Sequence, residues 1–565
     1  MKKIIPSIKI ITIILVVASF FALFYSSVVL NKNISFTNDE LWDYMPAVAI
    51  VNNEFIVESQ GINVLGYKIP LVTGPYQGAL KTWIAAPIIY VFGTSPLALR
   101  TLNIVTALLF LFAFYWALLG LLEKKYAILV FLIPFFDGNF LLTSPLDYGS
   151  FLFQSIFIVL GFGCIFRFFI LKDIRYLWLL SLFTGCLLAH KLTSVPIVLL
   201  FIFIFLFGSL IFRMFLKDNG WISSTVNILL VSFVLFLLPL IPHIIYFLKS
   251  NGLSSFLEMT KSHENIGFCS KVLNNLLYLG SSGSSNGLYW CRSLIGDMNF
   301  SPKFGLFTFA YGIYGIYCIS ILLLILYSNI KIDLRRFVIG GFILFMLSIF
   351  SFSLFKGLNR PWHYQLLYPF LWCQAIVSFA YMVDFLSRKN LICKVILYII
   401  YFILGIGLIV SSFFSYCLLE RIEQSKGMSI TSPVFNDFSK LLKRHKFQKI
   451  YSINYSLGWP LYVVLERKLH IVDFAFSQID SNILSSIMTD LLGNQNVCLV
   501  YRYSNYSGED ANWTKWLNKE SSIYKIKDFI SKHQDKLKVI RINNEFNKDR
   551  EDIEFVLVYA NKGKS

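Results

Sequence analysis

The sequence predicts a polytopic α-helical membrane protein with about eleven transmembrane helices and a C-terminal extracytoplasmic α/β domain. Three observations carry this prediction. The 565 residues are 56% hydrophobic and include 56 phenylalanines, with a mean hydropathy of +0.65, outside the range of soluble globular chains. Apolar stretches long enough to cross a bilayer recur along the chain. After Cys417 the composition changes abruptly to the charged, polar mixture of an ordinary soluble domain.

The expected spans are 8–30, 98–122, 126–144, 148–170, 176–190, 193–213, 223–248, 303–328, 337–355, 365–385 and 393–417. The first has Lys2, Lys3 and Lys9 at its flank and is too long for a cleaved signal peptide. Basic loops fall at Glu123-Lys124-Lys125, Arg167–Arg175, Arg213–Lys217, Lys331–Arg336 and Arg388–Lys394. All land on the side of the N-terminus if 76–92 does not cross, so the positive-inside bias puts the N-terminus in the cytoplasm and the C-terminus outside. The segment 76–92 then reads as an interfacial amphipathic helix, with Lys68 and Lys81 snorkelling to headgroups. Residues 1–417 form the membrane domain, with large outer loops at 31–97 and 249–302. Residues 418–565 form the outer domain, with strands near 449–453, 497–501, 537–541 and 555–559 and helices near 434–446 and 522–535.

The formal net charge of +18 does not point to nucleic acid, because the basic residues lie in short loops facing anionic headgroups. The bilayer is the expected partner. Nine cysteines show no metal-binding spacing. Cys269 and Cys291 share one predicted outer loop, where a disulfide between them suits an oxidising compartment.

The candidate chemistry lies on the outer face. Asp39-Glu40 follows the first span: these carboxylates can take a proton or hold a cation, and Asn38-Asp39 equally suits a helix cap. Asp147 follows another outward-going span and suits either a shared cavity or a cap. Basic groups disfavoured on this face recur at Arg100, Lys191, Arg360 and His363, beside Tyr364. An anion such as a lipid-borne phosphate is one reason to keep them. Snorkelling is the other.

In order, the chain carries Asp39-Glu40, then Gly74-Pro75-Tyr76-Gln77-Gly78-Ala79-Leu80-Lys81-Thr82-Trp83. It continues with Phe92-Gly93-Thr94-Ser95-Pro96-Leu97-Ala98-Leu99-Arg100, Asp147, the Lys191 turn, and Arg360/His363-Tyr364 with Pro369. This set resembles the GT-C membrane glycosyltransferases over about residues 8–385. The nearest branch contains the protein O-mannosyltransferases and the lipid A aminoarabinose transferase, a glycosyltransferase 39-like or RgtA-like grouping. The chain departs from that branch at Pro145-Leu146-Asp147-Tyr148-Gly149 and at His363-Tyr364-Gln365, and the C-terminal region takes no part in the resemblance.

The resemblance implies transfer of a hexose or pentose from a polyprenyl-phosphate sugar donor to an extracytoplasmic glycan, lipid or protein acceptor. Inversion is expected at the anomeric carbon. Asp39 would be the general base and Glu40 its orienting partner. Arg100, Asp147, Lys191, Arg360, His363 and Tyr364 would bind substrate, with no cofactor or metal called for. A bacterial plasma membrane is the expected location. The competing readings are a flippase or transporter of lipid-linked sugars, which predicts charges deep within spans, and a polysaccharide polymerase or ligase.

Overall fold

The computed structural model describes residues 5–33, 41–54, 61–74, 77–147, 150–215, 221–249, 368–387, 391–425, 434–445, 447–453, 461, 465, 470–473, 481–504, 519–543 and 553–561. The chain is a polytopic α-helical membrane protein with a C-terminal mixed β-sheet.

Helix α1 (Ile5–Asn33) is apolar on every side, as a span in lipid must be. Its small polar residues face protein: Ser19 Oγ donates to Phe131 O at 2.6 Å and Ser26 Oγ to Leu141 O at 2.9 Å. Small hydroxyl residues of this kind let membrane helices approach closely. Helix α2 (Leu41–Val51) packs on α3 (Leu80–Phe92) through a core that includes Tyr44, Ala47, Val48, Ala85, Ala86 and Ile89. Between them lie two short hairpins, β1 (Gly61–Val64) with β2 (Tyr67–Pro70), and β3 (Val72–Gly74) with β4 (Gln77–Gly78). Gln77 continues the second hairpin as an antiparallel bridge to Lys191.

Helix α4 (Pro96–Leu118) starts with Pro96 at its first position and Ser95 as cap, whose side chain accepts from Ala98 N; both choices suit a helix start. The next apolar stretch breaks into α5 (Lys124–Ala127), a 3₁₀ turn, α6 (Ile133–Phe136) and α7 (Gly138–Leu146). The two halves meet at 77°. Buried Asp137 sits at the break, accepting from Phe140 N at 3.1 Å.

Helix α8 (Phe151–Leu171) packs on both α4 and α9 (Arg175–His190). Then follow α10 (Val195–Phe215), α11 (Trp221–Leu237), α12 (Ile241–Lys249), α13 (Tyr368–Ser387) and α14 (Leu391–Ser425).

Four helices among the described residues are long and apolar enough to cross a membrane: Lys9–Lys32, Pro96–Leu118, Phe151–Leu171 and Val226–Lys249. A fifth span results if the bent pair Lys124–Phe135 and Phe140–Leu146 is taken as one. This corrects the expectation of about eleven spans: four or five are found among the described residues. The predicted 126–144 span is broken at Asp137, and 176–190 is a helix of 16 residues. The predicted spans 303–328 and 337–355, and the outer loop 249–302, lie outside the described residues.

The C-terminal sheet has the order β6-β5-β7-β9-β8, with β5 (Lys449–Ser452), β6 (His470–Asp473), β7 (Val497–Ser504), β8 (Leu537–Asn543) and β9 (Ile553–Ala560). β6, β5 and β7 are parallel, while β9 runs antiparallel to β7 and β8. Side chains alternate across it. Ile450, Cys498, Val500 and Leu557 pack on Phe435, Phe438 and Leu442 of α15 (Val434–His445). Tyr451, Leu499, Tyr501 and Val558 pack on α16 (Ser481–Gly493) and α17 (Lys519–Lys532). The four predicted strands and both predicted helices are present; β6 and α16 were not anticipated.

Candidate functional site

Three segments far apart in sequence bring charge into one buried place. Helix α2 supplies Asp43, α3 supplies Lys81, and the turn after α7 supplies Asp147, with relative exposures of 0%, 2% and 2%. Lys81 Nζ lies 2.7 Å from Asp147 Oδ2 and 3.7 Å from Asp43 Oδ2. A lysine buried this far is stable only when paired. Burial alone pulls the Lys81 ammonium toward deprotonation. The charges of Asp147 and Asp43 and the Asp147 hydrogen bond outweigh it, holding its pKa above the ordinary lysine value.

Each carboxylate has further partners. Asp43 accepts from Gln77 Nε2 at 3.0 Å and from the Ser150 hydroxyl, while its main-chain oxygen accepts from Thr82 Oγ1 at 3.0 Å. Asp147 Oδ1 accepts from Leu152 N at 2.8 Å, so Asp147 both pairs with Lys81 and caps the first turn of α8. Tyr44 OH donates to Asn103 Oδ1 at 2.6 Å, Asn103 Nδ2 donates to Pro145 O at 2.8 Å, and the Lys81 ammonium sits 5.2 Å from the Tyr44 ring centroid. This network ties α2, α3, α4 and the end of α7 together.

The cluster lies at one end of α4, α8 and α9. The basic loop residues Lys124, Lys125, Lys172 and Arg175 lie at the other.

Of the predicted site residues, Asp147 and Lys191 meet at this end of the bundle. Lys191 is buried, its ammonium 4.5 Å from the Phe151 ring centroid. Arg100 is also fully buried, and its guanidinium donates to Asn31 Oδ1 at 3.1 Å, tying the start of α4 to the end of α1. Asp39, Glu40, Arg360, His363, Tyr364, Cys269 and Cys291 lie outside the described residues. Among the described residues no group of three or more His, Cys, Asp or Glu is placed to hold a metal ion.

One expectation is overturned: Lys81 does not snorkel but is the buried centre of the cluster. Asp43, Gln77, Ser150, His190 and His243 were not singled out. Asp43 carries a signal, being one carboxylate inside the apolar run Leu41–Val51.

An apolar cavity of about 600 Å³ opens between α9, α10 and α11, lined by residues such as Leu180, Thr184, Phe201, Phe205, Leu230 and Phe233. Thr184 and His190 lie on the same helix, about 9 Å apart along its axis at 1.5 Å per residue.

No protein-family model matches the chain, and no curated protein sequence does. Among solved structures, ArnT from Cupriavidus metallidurans in the apo state aligns with a TM-score of 0.45 and 11% identity, over 96% of this chain and 97% of that one. The Archaeoglobus fulgidus oligosaccharyltransferase in the apo form aligns with a TM-score of 0.42 and 12% identity, over 86% of this chain and 69% of that one.

Proposed function

We propose that this chain is a GT-C-type membrane glycosyltransferase that transfers a sugar from a polyprenyl-phosphate donor to an acceptor hydroxyl on the extracytoplasmic face. The observation that carries the reading is the buried Asp43–Lys81–Asp147 cluster. Its members come from the first outer loop, the Gly74–Trp83 segment and the Asp147 turn, the segments on which the sequence resemblance rests. Buried charge at the rim of a membrane domain is functional by default.

Asp39 is the general base. It stands four residues before Asp43, which is held by Lys81, Gln77 and Ser150 and so anchors this region. The acceptor oxygen attacks the anomeric carbon from the side opposite the lipid phosphate and gives its proton to Asp39. The bond from anomeric carbon to phosphate oxygen breaks, its electron pair leaves with the lipid phosphate, and the centre inverts. Glu40 orients the acceptor. Lys191, Arg360 and His363, with Arg100 and Tyr364 nearby in the ordered set, offset the charge on the departing phosphate. The apolar cavity between α9, α10 and α11 has the chemistry to hold an isoprenoid chain.

The test is transfer of radiolabelled sugar from a polyprenyl-phosphate donor by the reconstituted full chain. Asp39→Asn is expected to lose at least about 100-fold in turnover with an unchanged thermal midpoint. Near-normal turnover in that variant overturns the assignment of Asp39.

A further inference from the structure

The ribbon formed by β1 and β2 has no part in the transfer scheme, yet its two faces suit two different environments. Its register pairs Ile62 with Ile69 and Val64 with Tyr67, and between those pairs Asn63 with Lys68. Paired residues share a face, and neighbours along a strand alternate. One face is therefore Ile62, Val64, Tyr67 and Ile69, while the other carries Asn63 and Lys68. Val64 is 38% exposed, Tyr67 64% and the tip residue Leu65 95%.

A lone two-stranded ribbon is marginal in water, and this one turns apolar side chains outward. The tip adds a second observation. Leu65 has φ +52°, a left-handed conformation that is costly for leucine and cheap for Asn or Gly. Turn geometry does not call for a leucine here, and packing inside the protein does not use it.

The contacts of the ribbon fix where it stands. Asn53, just past the end of α2, donates from Nδ2 to Gly66 O at 3.0 Å and accepts from Lys68 N at 2.8 Å. Trp83 Nε1 donates to Pro70 O at 2.9 Å, holding the base of the ribbon to α3. Leu65 is five residues from Pro70, so the tip stays within about 17 Å of that contact.

The surface around this anchor belongs to the membrane. Helix α3 buries Lys81, Thr82, Ala85, Ala86 and Ile89 and turns Ile84, Pro87 and Val91 outward, with Tyr90 and Phe92 exposed at its end. Helix α4 begins three residues later. Its exposed Leu97, Val105, Leu109 and Phe112 form one stripe on a helix long and apolar enough to cross a bilayer. Apolar surface thus continues from the α4 stripe along α3 to Trp83 and the ribbon it holds. Tyr67 and Tyr90 on this surface are of the kind that settles at headgroup level.

We propose that the β1–β2 ribbon is a membrane-docking element. Its Ile62, Val64, Tyr67 and Ile69 face and its Leu65 tip bury in the boundary between headgroups and acyl chains of the leaflet in which α4 begins. Asn63 and Lys68 face water. Through Asn53 and Trp83, the docked ribbon pins α2 and α3, which carry Asp43 and Lys81, to the bilayer surface. The proposal stands independently of the transfer reading.

The experiment uses the full chain in lipid nanodiscs, nitroxide-labelled at Leu65→Cys, Tyr67→Cys or Asn63→Cys, with the signal of identically treated wild type subtracted. Collision with oxygen, which concentrates in the bilayer, is compared with collision with a water-soluble nickel chelate. Labels at Val105→Cys on the α4 stripe and at Lys440→Cys, exposed on α15, give the lipid and water references. The Leu65 and Tyr67 sites are expected to lose nickel collisions as Val105 does, and the Asn63 site to keep them as Lys440 does. Adding Leu65→Asn to the Tyr67 label is expected to restore nickel collisions there. In micelles Leu65 contacts detergent in the folded and the unfolded chain alike, so an unfolding midpoint reads the turn while the label reads docking. The proposal is overturned if the Leu65 and Asn63 sites read alike or if both collisions are suppressed because protein covers the tip. It is equally overturned if Leu65→Asn leaves the Tyr67 reading unchanged.

Discussion

Replacing Lys81 by Met leaves two carboxylates buried without their cation. At an effective dielectric of about 20, the 2.7 Å contact with Asp147 corresponds to a gross attraction of about 6 kcal/mol. The 3.7 Å contact with Asp43 corresponds to about 4.5 kcal/mol. The cost of removing all three charges from water offsets much of this sum. Truncating one partner of a buried pair nonetheless costs about 3–5 kcal/mol, because the charge left behind is uncompensated. Met keeps most of the lysine's volume, so the loss reads electrostatics rather than a cavity. Lys81→Met is therefore expected to lose about 3–5 kcal/mol. The double variant Lys81→Met/Asp147→Asn is expected to recover at least about 2 kcal/mol relative to additivity, since Asp43 keeps Gln77 and Ser150. Chemical or thermal unfolding of the purified full chain in detergent micelles, run as a double-mutant cycle, measures both quantities. A single variant as stable as wild type, or a strictly additive double, refutes the idea that these three groups are one electrostatic unit.

Two further predictions concern other parts of the chain. The turn between β1 and β2 puts Leu65 at φ +52° and Gly66 at φ +84°, and Leu65 is 95% exposed; Leu65→Asn, giving the Asn-Gly pair such turns favour, is expected to gain about 1 kcal/mol, and a lowered unfolding midpoint would contradict this. In the sheet domain, hydrogen bonds from Lys449 and then Tyr451 hold the Asp490 carboxyl below its ordinary pKa. A depressed folded pKa means stability that is complete above the unfolded value of about 3.9 and declines as pH falls through the folded value. Because the Lys449 and Asp490 side chains are 30% and 38% exposed, Asp490→Asn is expected to cost no more than about 1 kcal/mol at neutral pH. The gap should close as the medium is acidified below about pH 4, and a gap that persists in acid counts against the ion pair.

Local pattern determined much of the architecture. Apolar runs placed α1, α4, α8 and the span ending at Lys249 within a few residues of their ends, because burial in lipid demands continuous hydropathy. Short apolar runs placed β5, β7, β8 and β9, each face of the sheet having its own covering of helices. The break at Asp137 carries a signal, Asp137-Gly138-Asn139, which averaging hydropathy over the length of a span passes over. Strand β6 was not legible, being four residues whose place depends on pairing with β5.

The site divides in the same way. Asp147 and Lys191 could be nominated from sequence because charge at the outer end of a span is conspicuous wherever the span folds. Lys81 read as a snorkelling residue because its helix is amphipathic, and only the approach of α2 and the α7–α8 turn makes it a buried ion. His190 and His243 become buried only when β4 bridges the end of α9 and α12 packs on β3. Sequence by itself determined which segments prefer lipid, strand or water, since those preferences depend on residues within a few positions of one another. Tertiary structure alone decided which charges are paired and which polar groups are buried, because burial and pairing depend on groups brought together from distant parts of the chain.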